Sequence, residues 1–249
     1  MKRKREIERK SEIKSAIEEL SLLIRLRTTV KRSNILIKPQ SPATAGKNSD
    51  DNYLQQQQHK SVVSHISTRP ILSVCSLILQ VLDKIGPTMT VMRQDIYKNI
   101  QRLEVLCDSD PTKYINLVEI LNKEAIEGTA KKGDSCSKAV LWLTRTLDFT
   151  AALLKKLAVE PMESMEEIVG NSYETTLKPW HGWISAAAYK VALKLVPETE
   201  TFISLLMDKG DSIDNFRDEI QVLHSLLTPL LEDLHSILSS YRLDRLKST

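Results

Sequence analysis

The sequence of 249 residues contains only seven glycines, and aromatic side chains make up 5% of it. The scarcity of glycine removes the glycine-rich phosphate-binding motifs, since neither G-x-G-x-x-G nor G-x-x-x-x-G-K-[ST] occurs. The hydrolase motifs G-x-S-x-G and H-E-x-x-H are absent as well. The five histidines have no carboxylate or thiol at metal-ligand spacing. We therefore expect a protein that is not an enzyme and that uses no cofactor or metal.

Cysteines and long apolar runs are also scarce. The three cysteines form no C-x-x-C motif, which is typical of reduced thiols in a cytoplasmic protein. No stretch approaches the roughly 18 apolar residues of a membrane-spanning helix. The first ten residues, MKRKREIERK, lack the apolar segment of a secretory signal. The net charge of +3 is too small to indicate nucleic acid as a partner, but it allows attraction to anionic membranes. We expect a cytoplasmic protein that is peripheral at membranes.

Helical periodicity dominates what remains. Residues 1–37 are rich in Lys, Arg, Glu and Leu and predict a basic helix that stands apart. Residues 38–63 predict a flexible linker, because so polar a segment cannot bury enough apolar surface to offset its ordering entropy. Residues 64–249 show no alternating strand pattern, and the chain predicts an all-α bundle of roughly seven or eight helices. Helical segments are predicted at 69–85, 91–107, 111–127, 135–158, 162–170, 172–196, 198–207 and 212–242.

One predicted helix carries a polar column beside its apolar face. In RQDIYKNIQRL, Asp95, Asn99 and Arg102 follow at i, i+4 and i+7, which places them within about 60° of one another on a helix. Apolar residues, among them Ile96 and Ile100, lie next to them. Either a solvated helix edge or a set of hydrogen-bonding groups at the mouth of an apolar site explains this column.

Three further segments combine aromatic and polar residues. In LWLTRTLDF, Trp142 lies on an apolar helix face, and in KPWHGWI, His181 lies between Trp180 and Trp183. The C-terminal segment HSILSSYRLDRL contains Tyr241. Taken alone, Trp142 is explained as a core aromatic residue, and His181 as a histidine whose ring bonds a backbone carbonyl.

Taken together and in order, these motifs resemble the glycolipid transfer protein family. DIYKNIQR matches the family signature Asp-x3-Asn-x2-(Lys/Arg), and DPTKYINLVEILNKE is similar to the segment that follows it. LWLTRTLDF matches the family's Trp-Leu-x-Arg helix, and WHGWI its His-Gly-Trp-Ile segment. The resemblance runs from Ser64 to the C-terminus and offers no counterpart for residues 1–60. It implies a two-layer all-α fold that encloses a hydrophobic lipid pocket and holds one sphingolipid with its headgroup at the surface.

The resemblance also implies a role for each polar residue. Asp95 would accept hydrogen bonds from the ceramide N–H and a sugar hydroxyl, while His181 would donate to the ceramide carbonyl from the opposite side. Asn99 and Arg102 would bind neighbouring headgroup oxygens, and Trp142 would stack on the sugar ring. The pocket would supply affinity through about 0.8 kcal/mol for each buried CH₂, and the polar groups would choose the headgroup.

Other residues follow from the same resemblance. The family has a C-terminal tyrosine near the headgroup, which Tyr241 matches. Trp183 matches a family tryptophan implicated in transient membrane contact, and Trp180 is its neighbour, since indole rings suit the bilayer interface. Burial of both rings is the alternative. The basic N-terminal helix is a further membrane contact, a nuclear-targeting run or a solvated helix.

Headgroup choice separates two branches of the family. The branch that carries ceramide phosphate has Lys in place of the signature Asn, Arg in place of the Trp, and a second Arg four residues earlier. Asn99 and Trp142 therefore favour a neutral glycosylceramide. Lys138 occupies the position of that second Arg, where it either binds a phosphate or sulfate or is a surface lysine. We expect a glycosylceramide carrier; the alternatives are a carrier or sensor of ceramide phosphate or sulfated sphingolipid, and a protein-interaction module without transfer activity.

Overall fold

The computed structural model describes residues 10–36, 65–159 and 163–248, and within these ranges its regular secondary structure is helical, with connecting turns and loops and one isolated bridge between Ser67 and Asn116. The predicted all-α class is confirmed. Short 3-10 turns precede the third and the seventh α-helix. The described α-helices are α1 (Glu12–Leu36), α2 (Thr68–Ile85), α3 (Thr90–Ser109), α4 (Leu117–Ile126), α5 (Cys136–Val159), α6 (Met165–Thr176), α7 (Trp183–Leu193), α8 (Thr199–Leu206) and α9 (Ile213–Ser240).

Several helix ends follow from local sequence. Gly86 adopts a φ of 109° at the end of α2, a left-handed conformation that glycine tolerates. The side chain of Ser164 caps α6 and forms a reciprocal pair of hydrogen bonds with Glu167. Ser212 caps α9, its hydroxyl accepting from the backbone N–H of Asn215 at 3.1 Å. Short polar residues therefore set these helix starts.

One long predicted helix is broken in the structure. The sequence predicted a continuous helix over 172–196, whereas the chain leaves α6 after Thr176, makes a 3-10 turn and re-enters a helix at Trp183. Pro179 lacks a backbone N–H and Gly182 adopts an extended conformation, so neither continues the helix. The break is important for function, because it carries His181.

The helices form two layers around a single core with α5 at its centre. α5 packs against α3, α4, α6 and α9, while α2 packs against α1 and α3, and α1 also reaches α9. The core is built mainly of Leu, Ile and Val side chains from all of these helices. No helix among the described residues is long and apolar enough to cross a bilayer.

The N-terminal helix is part of this core. Ile13, Ala16, Leu20 and Leu23 of α1 are all buried against the bundle. The expectation that this helix stands apart is wrong, because its apolar stripe is covered by α2 and α9. The predicted linker over 38–63 lies outside the described residues.

Charges fasten α1 at one end of the bundle. Glu12 forms an ion pair with Lys84 of α2. Lys14 binds both Asp208 and Asp211, each at 2.6 Å, in the connection between α8 and α9. Lys14, one of the basic residues of the N-terminal helix, is therefore engaged in ion pairs within the protein.

All three cysteines are free thiols buried in the core. Burial raises the pKa of Cys75 to about 12 and that of Cys136 to about 11. The thiolate form of these groups is therefore scarce at neutral pH.

Candidate functional site

The polar column predicted on α3 exists, and its members are held to one another. The buried amide of Asn99 donates to the backbone carbonyl of Asp95 at 3.1 Å. Arg102 donates to the side-chain oxygen of Asn99 at 3.4 Å. The Asp95 carboxylate accepts no hydrogen bond from any described residue and lies at the surface. Its oxygens are therefore available to a ligand.

The electrostatic surroundings of Asp95 are mixed. Partial desolvation by neighbouring protein raises the pKa of its carboxyl, and the positive charges of Lys98 and Arg102 act in the opposite direction. Burial is the stronger of the two effects. A carboxylate in such surroundings gains more from hydrogen-bond donors than one in water does.

A buried carboxylate fixes the start of α5, the helix that carries Trp142. Glu124 of α4 accepts from the backbone N–H groups of Cys136 and Ser137 at 2.8 and 2.7 Å. A negative charge at this position satisfies two helix N–H groups and favours the helix dipole. This cap was not predicted from the sequence. Its only signal there is an acidic residue four positions after an apolar residue on a short helix.

The break between α6 and α7 brings His181 to α5. The ring centroids of His181 and Trp142 are 5.8 Å apart, with the planes tilted by 40°. Burial lowers the pKa of His181, and the positive charge of Arg145 lowers it further. A neutral imidazole is thus favoured, with one N–H to donate. Its Nδ1 is buried and has no hydrogen-bond partner among the described residues.

Arg145 is the arginine of the Trp-Leu-x-Arg motif, and sequence reasoning assigned it no role in the site. Its side chain is 2% exposed, and its guanidinium carbon lies 4.8 Å from the centre of the Trp142 ring and 4.2 Å from that of Trp180. Burial lowers its pKa to about 10, so it remains charged at neutral pH. Only its spacing of three residues after Trp142 signalled this contact.

The two tryptophans of the WHGWI segment differ in environment. Trp180 is half-buried against Arg145. Trp183 is 80% exposed at the start of α7, and Ile184 and Val191 are exposed beside it on the same helix. Trp183 therefore presents apolar surface to solvent, whereas much of Trp180 is covered by protein.

Tyr241 and Lys138 are the two remaining predicted site residues. Tyr241 ends α9, half-buried; burial raises its pKa, and so does the nearby charge of Glu119. Among the described residues, no ring contact or hydrogen bond joins Tyr241 to His181 or Trp142. Lys138 lies one turn before Trp142, half-exposed, and its ammonium forms no ion pair with a described residue.

An apolar cavity of about 150 Å³ adjoins the polar cluster. Ile96, which directly follows Asp95, lines it, and so does Thr146, one turn after Trp142. Glu12 is the only charged residue among the described residues that line it. The structure thus places an indole from α5 beside an imidazole from the α6–α7 break, packs α5 against the helix that carries the polar column, and forms an apolar cavity between residues of these two helices.

Known proteins resemble this chain over most or all of its length. Residues 66–208 match the family model described as glycolipid transfer protein. Glycolipid transfer protein 2 of Arabidopsis thaliana is 49% identical over 251 residues, which cover 100% of both chains. The expectation that residues 1–60 lack a counterpart is therefore wrong, since this relative spans them.

Two solved structures share the fold. One, described as showing how FAPP2 selects simple glycosphingolipids using the GLTP-fold, superposes with a TM-score of 0.69 at 23% identity and covers 75% of this chain and 91% of its own. The other, a mutant of Arabidopsis ACD11 complexed with C12 ceramide-1-phosphate, gives a TM-score of 0.68 at 14% identity, covering 94% and 97%. At these identities the likeness concerns the fold alone.

Proposed function

Since the chain belongs to the glycolipid transfer protein family, we propose that it carries one sphingolipid between membranes and that its preferred cargo is a glycosylceramide. Sphingolipid transfer is the activity of the family, and the choice of headgroup is the specific proposal. The observation that carries it is the contact of His181 with Trp142, on a helix that packs against α3, the helix of Asp95, with an apolar cavity lined by residues of both helices.

The hydrogen-bonding capacity of these groups fits a ceramide amide. The free oxygens of Asp95 accept from the amide N–H, and a neutral His181 donates to the amide carbonyl. Hydrogen bonds to a charged group contribute about 1.5–3 kcal/mol each. These two groups would therefore fix the amide at the boundary between headgroup and chains.

A sugar suits the residues around the amide. Asn99 offers both a donor and an acceptor, as neighbouring sugar hydroxyls require. The indole of Trp142 is half-exposed and provides a flat surface for the C–H face of a sugar ring. The guanidinium of Arg145 packs against this indole, with its carbon 4.8 Å from the ring centre, and helps to hold the ring in place.

An anionic headgroup is the second candidate. Lys138 lies one turn before Trp142 with its ammonium unpaired among the described residues, and Arg102 lies in the polar column of α3, which packs against α5. A phosphate or sulfate would gain from both charges. The ceramide-1-phosphate complex of ACD11 demonstrates that the fold accepts such a headgroup.

Loading two alkyl chains requires the bundle to expand. A dry cavity of roughly 150 Å³ admits a group of the size of benzene, which is far less than two lipid chains. The helices that line the cavity would move apart as the chains enter. Trp183 and the exposed apolar residues beside it would hold the protein at the bilayer surface meanwhile, as a peripheral protein on the cytoplasmic side.

Vesicle-to-vesicle transfer of fluorescent glucosylceramide and fluorescent ceramide phosphate by the full chain tests the proposal. We expect faster transfer of the sugar lipid, and loss of that transfer in Asp95→Val with unchanged circular dichroism. Asp134→Val, in an exposed loop, is the matched control. Faster transfer of the phosphate lipid would establish the second candidate instead. Failure to move either lipid would reject transfer.

A further inference from the structure

Two tyrosines stack beside the imidazole of His181. Tyr173 of α6 and Tyr189 of α7 have ring centroids 3.4 Å apart with the planes tilted by 6°. The Tyr173 ring centroid lies 5.4 Å from that of His181. Tyr173 is buried, with 3% of its surface exposed. The three rings form one continuous aromatic group. We call Tyr173 and Tyr189 the tyrosine pair.

The polar atoms of this group are not used by the fold. The hydroxyls of Tyr173 and Tyr189 and the Nδ1 of His181 are all buried, and none has a hydrogen-bond partner among the described residues. Buried polar groups are usually paired, because an unpaired one loses its hydration without compensation. Phenylalanine would stack equally well without that cost. Three such atoms in one cluster indicate a ligand group that supplies the missing partner.

The hydroxyl of Tyr189 lies against α6. A Cβ placed on Gly170 would lie 3.9 Å from it, so this hydroxyl lies over α6 at Gly170. The preceding residue, Val169, lines the apolar cavity. The tyrosine pair thus lies between His181, which contacts Trp142, and the helix α6, one residue of which lines the cavity. In the proposed binding mode, a chain attached to an amide held at His181 starts next to the tyrosine pair.

The charges around the tyrosine pair favour a neutral partner. Burial raises the pKa of Tyr189 to about 12, and the carboxylates of Glu174 and Glu166 act in the same direction. Burial and Glu174 also raise the pKa of Tyr173. Both phenols therefore keep their protons, and an anion would be repelled by the neighbouring carboxylates. A hydroxyl, which both donates and accepts, complements two phenols.

We propose that Tyr173 and Tyr189 form a subsite for a hydroxyl carried on the first carbons of a ceramide chain, so that the protein prefers ceramides with a 2-hydroxyacyl chain. This inference rests on the proposed function and adds a specificity determinant to it. The headgroup residues do not explain these hydroxyls, since Asp95 and His181 already account for the amide.

Transfer of two glucosylceramides that differ only in the 2-hydroxyl of the acyl chain tests the subsite. A single net hydrogen bond corresponds to roughly a twofold to tenfold preference, and we expect the wild-type protein to favour the hydroxylated lipid by that factor. Tyr189→Phe and Tyr173→Phe keep the stacked rings and should bring the ratio close to one. Tyr97→Phe, on the exposed face of α3, should leave it unchanged.

The outcomes separate the subsite from the transfer activity. Equal transfer of both lipids by the wild type, or a preference that survives in both phenylalanine variants, would overturn the subsite while leaving sphingolipid transfer intact. If neither lipid moves, binding is measured by tryptophan emission on titration with each lipid. A preference for the hydroxylated lipid in that titration would support the subsite without transfer, and its absence would overturn both.

Discussion

The guanidinium of Arg145 donates a hydrogen bond to the backbone carbonyl of Leu246 at 2.8 Å, which joins the middle of the chain to its C-terminal end. A second bond, at 2.9 Å, reaches the carbonyl of Asp244. The same tail returns to the histidine segment, where the N–H of Ser248 donates to the carbonyl of Trp180 at 2.9 Å. Trp142, Trp180 and the C-terminal tail thus share one buried cation.

Replacing Arg145 should therefore detach the tail and loosen the indoles. We expect Arg145→Met to lower the free energy of unfolding by about 1.5–3 kcal/mol for each charge-assisted hydrogen bond lost, and to shift tryptophan emission to longer wavelength. Urea denaturation and fluorescence spectra measure the two effects. Arg245→Met, on the exposed side of the tail, is the control. A stability equal to that of the control would contradict the proposed fastening.

The headgroup rule predicts the effect of exchanging the indole. Trp142→Arg should slow transfer of glucosylceramide relative to ceramide phosphate, because it removes the stacking surface and adds a second cation one turn after Lys138. The ratio of the two transfer rates is the measurement. Adding Lys138→Met should reverse part of the gain for the phosphate lipid. A ratio that does not change in Trp142→Arg would mean that Trp142 does not choose the headgroup.

The packing of α1 predicts a contribution to stability. Leu20→Ala and Leu23→Ala should each cost about 2–5 kcal/mol, the usual range for a buried leucine. Leu22→Ala, whose side chain is 49% exposed on the same helix, should change stability by less than about 0.5 kcal/mol. Thermal and urea unfolding of the full chain compare them. Equal effects for all three would show that α1 does not depend on its apolar stripe.

An ion pair between α5 and α9 predicts a pH dependence. His235 Nε2 lies 3.0 Å from Asp148 Oδ1, and this hydrogen bond raises the pKa of His235 despite partial burial. A folded-state pKa above the unfolded value stabilises the protein below about pH 6.5, and this stabilisation is lost as the pH rises through the folded pKa. The stability difference between wild type and His235→Gln should therefore be larger at pH 6 than at pH 8.

His224→Gln removes another histidine from α9 and should show a smaller change in the same comparison. Urea unfolding at both pH values provides the data. A difference for His235→Gln that is the same at both pH values would mean that the pair with Asp148 does not control the titration.

The sequence predicted those features of the site that depend on residues close together in the chain. The spacing of Asp95, Asn99 and Arg102 gave their common column, since helix geometry alone determines it. The break after Thr176 was missed because the apolar period continues through it, although Pro179 and Gly182 were present. Long-range contacts left no local trace: the pairs Arg145–Leu246 and His235–Asp148 are separated by 101 and 87 residues.

Because the cysteines are buried, their reaction with a thiol reagent measures transient opening of the helix bundle. Cys75 on α2 is sealed in the core with its pKa raised to about 12, so a thiol reagent reacts with it only when the helices part. The rate at which the native chain is labelled therefore measures how often the helices separate. Helix separation is also the motion by which alkyl chains would enter. A lipid that fills the cavity and holds the two layers together should lower the rate of thiol labelling.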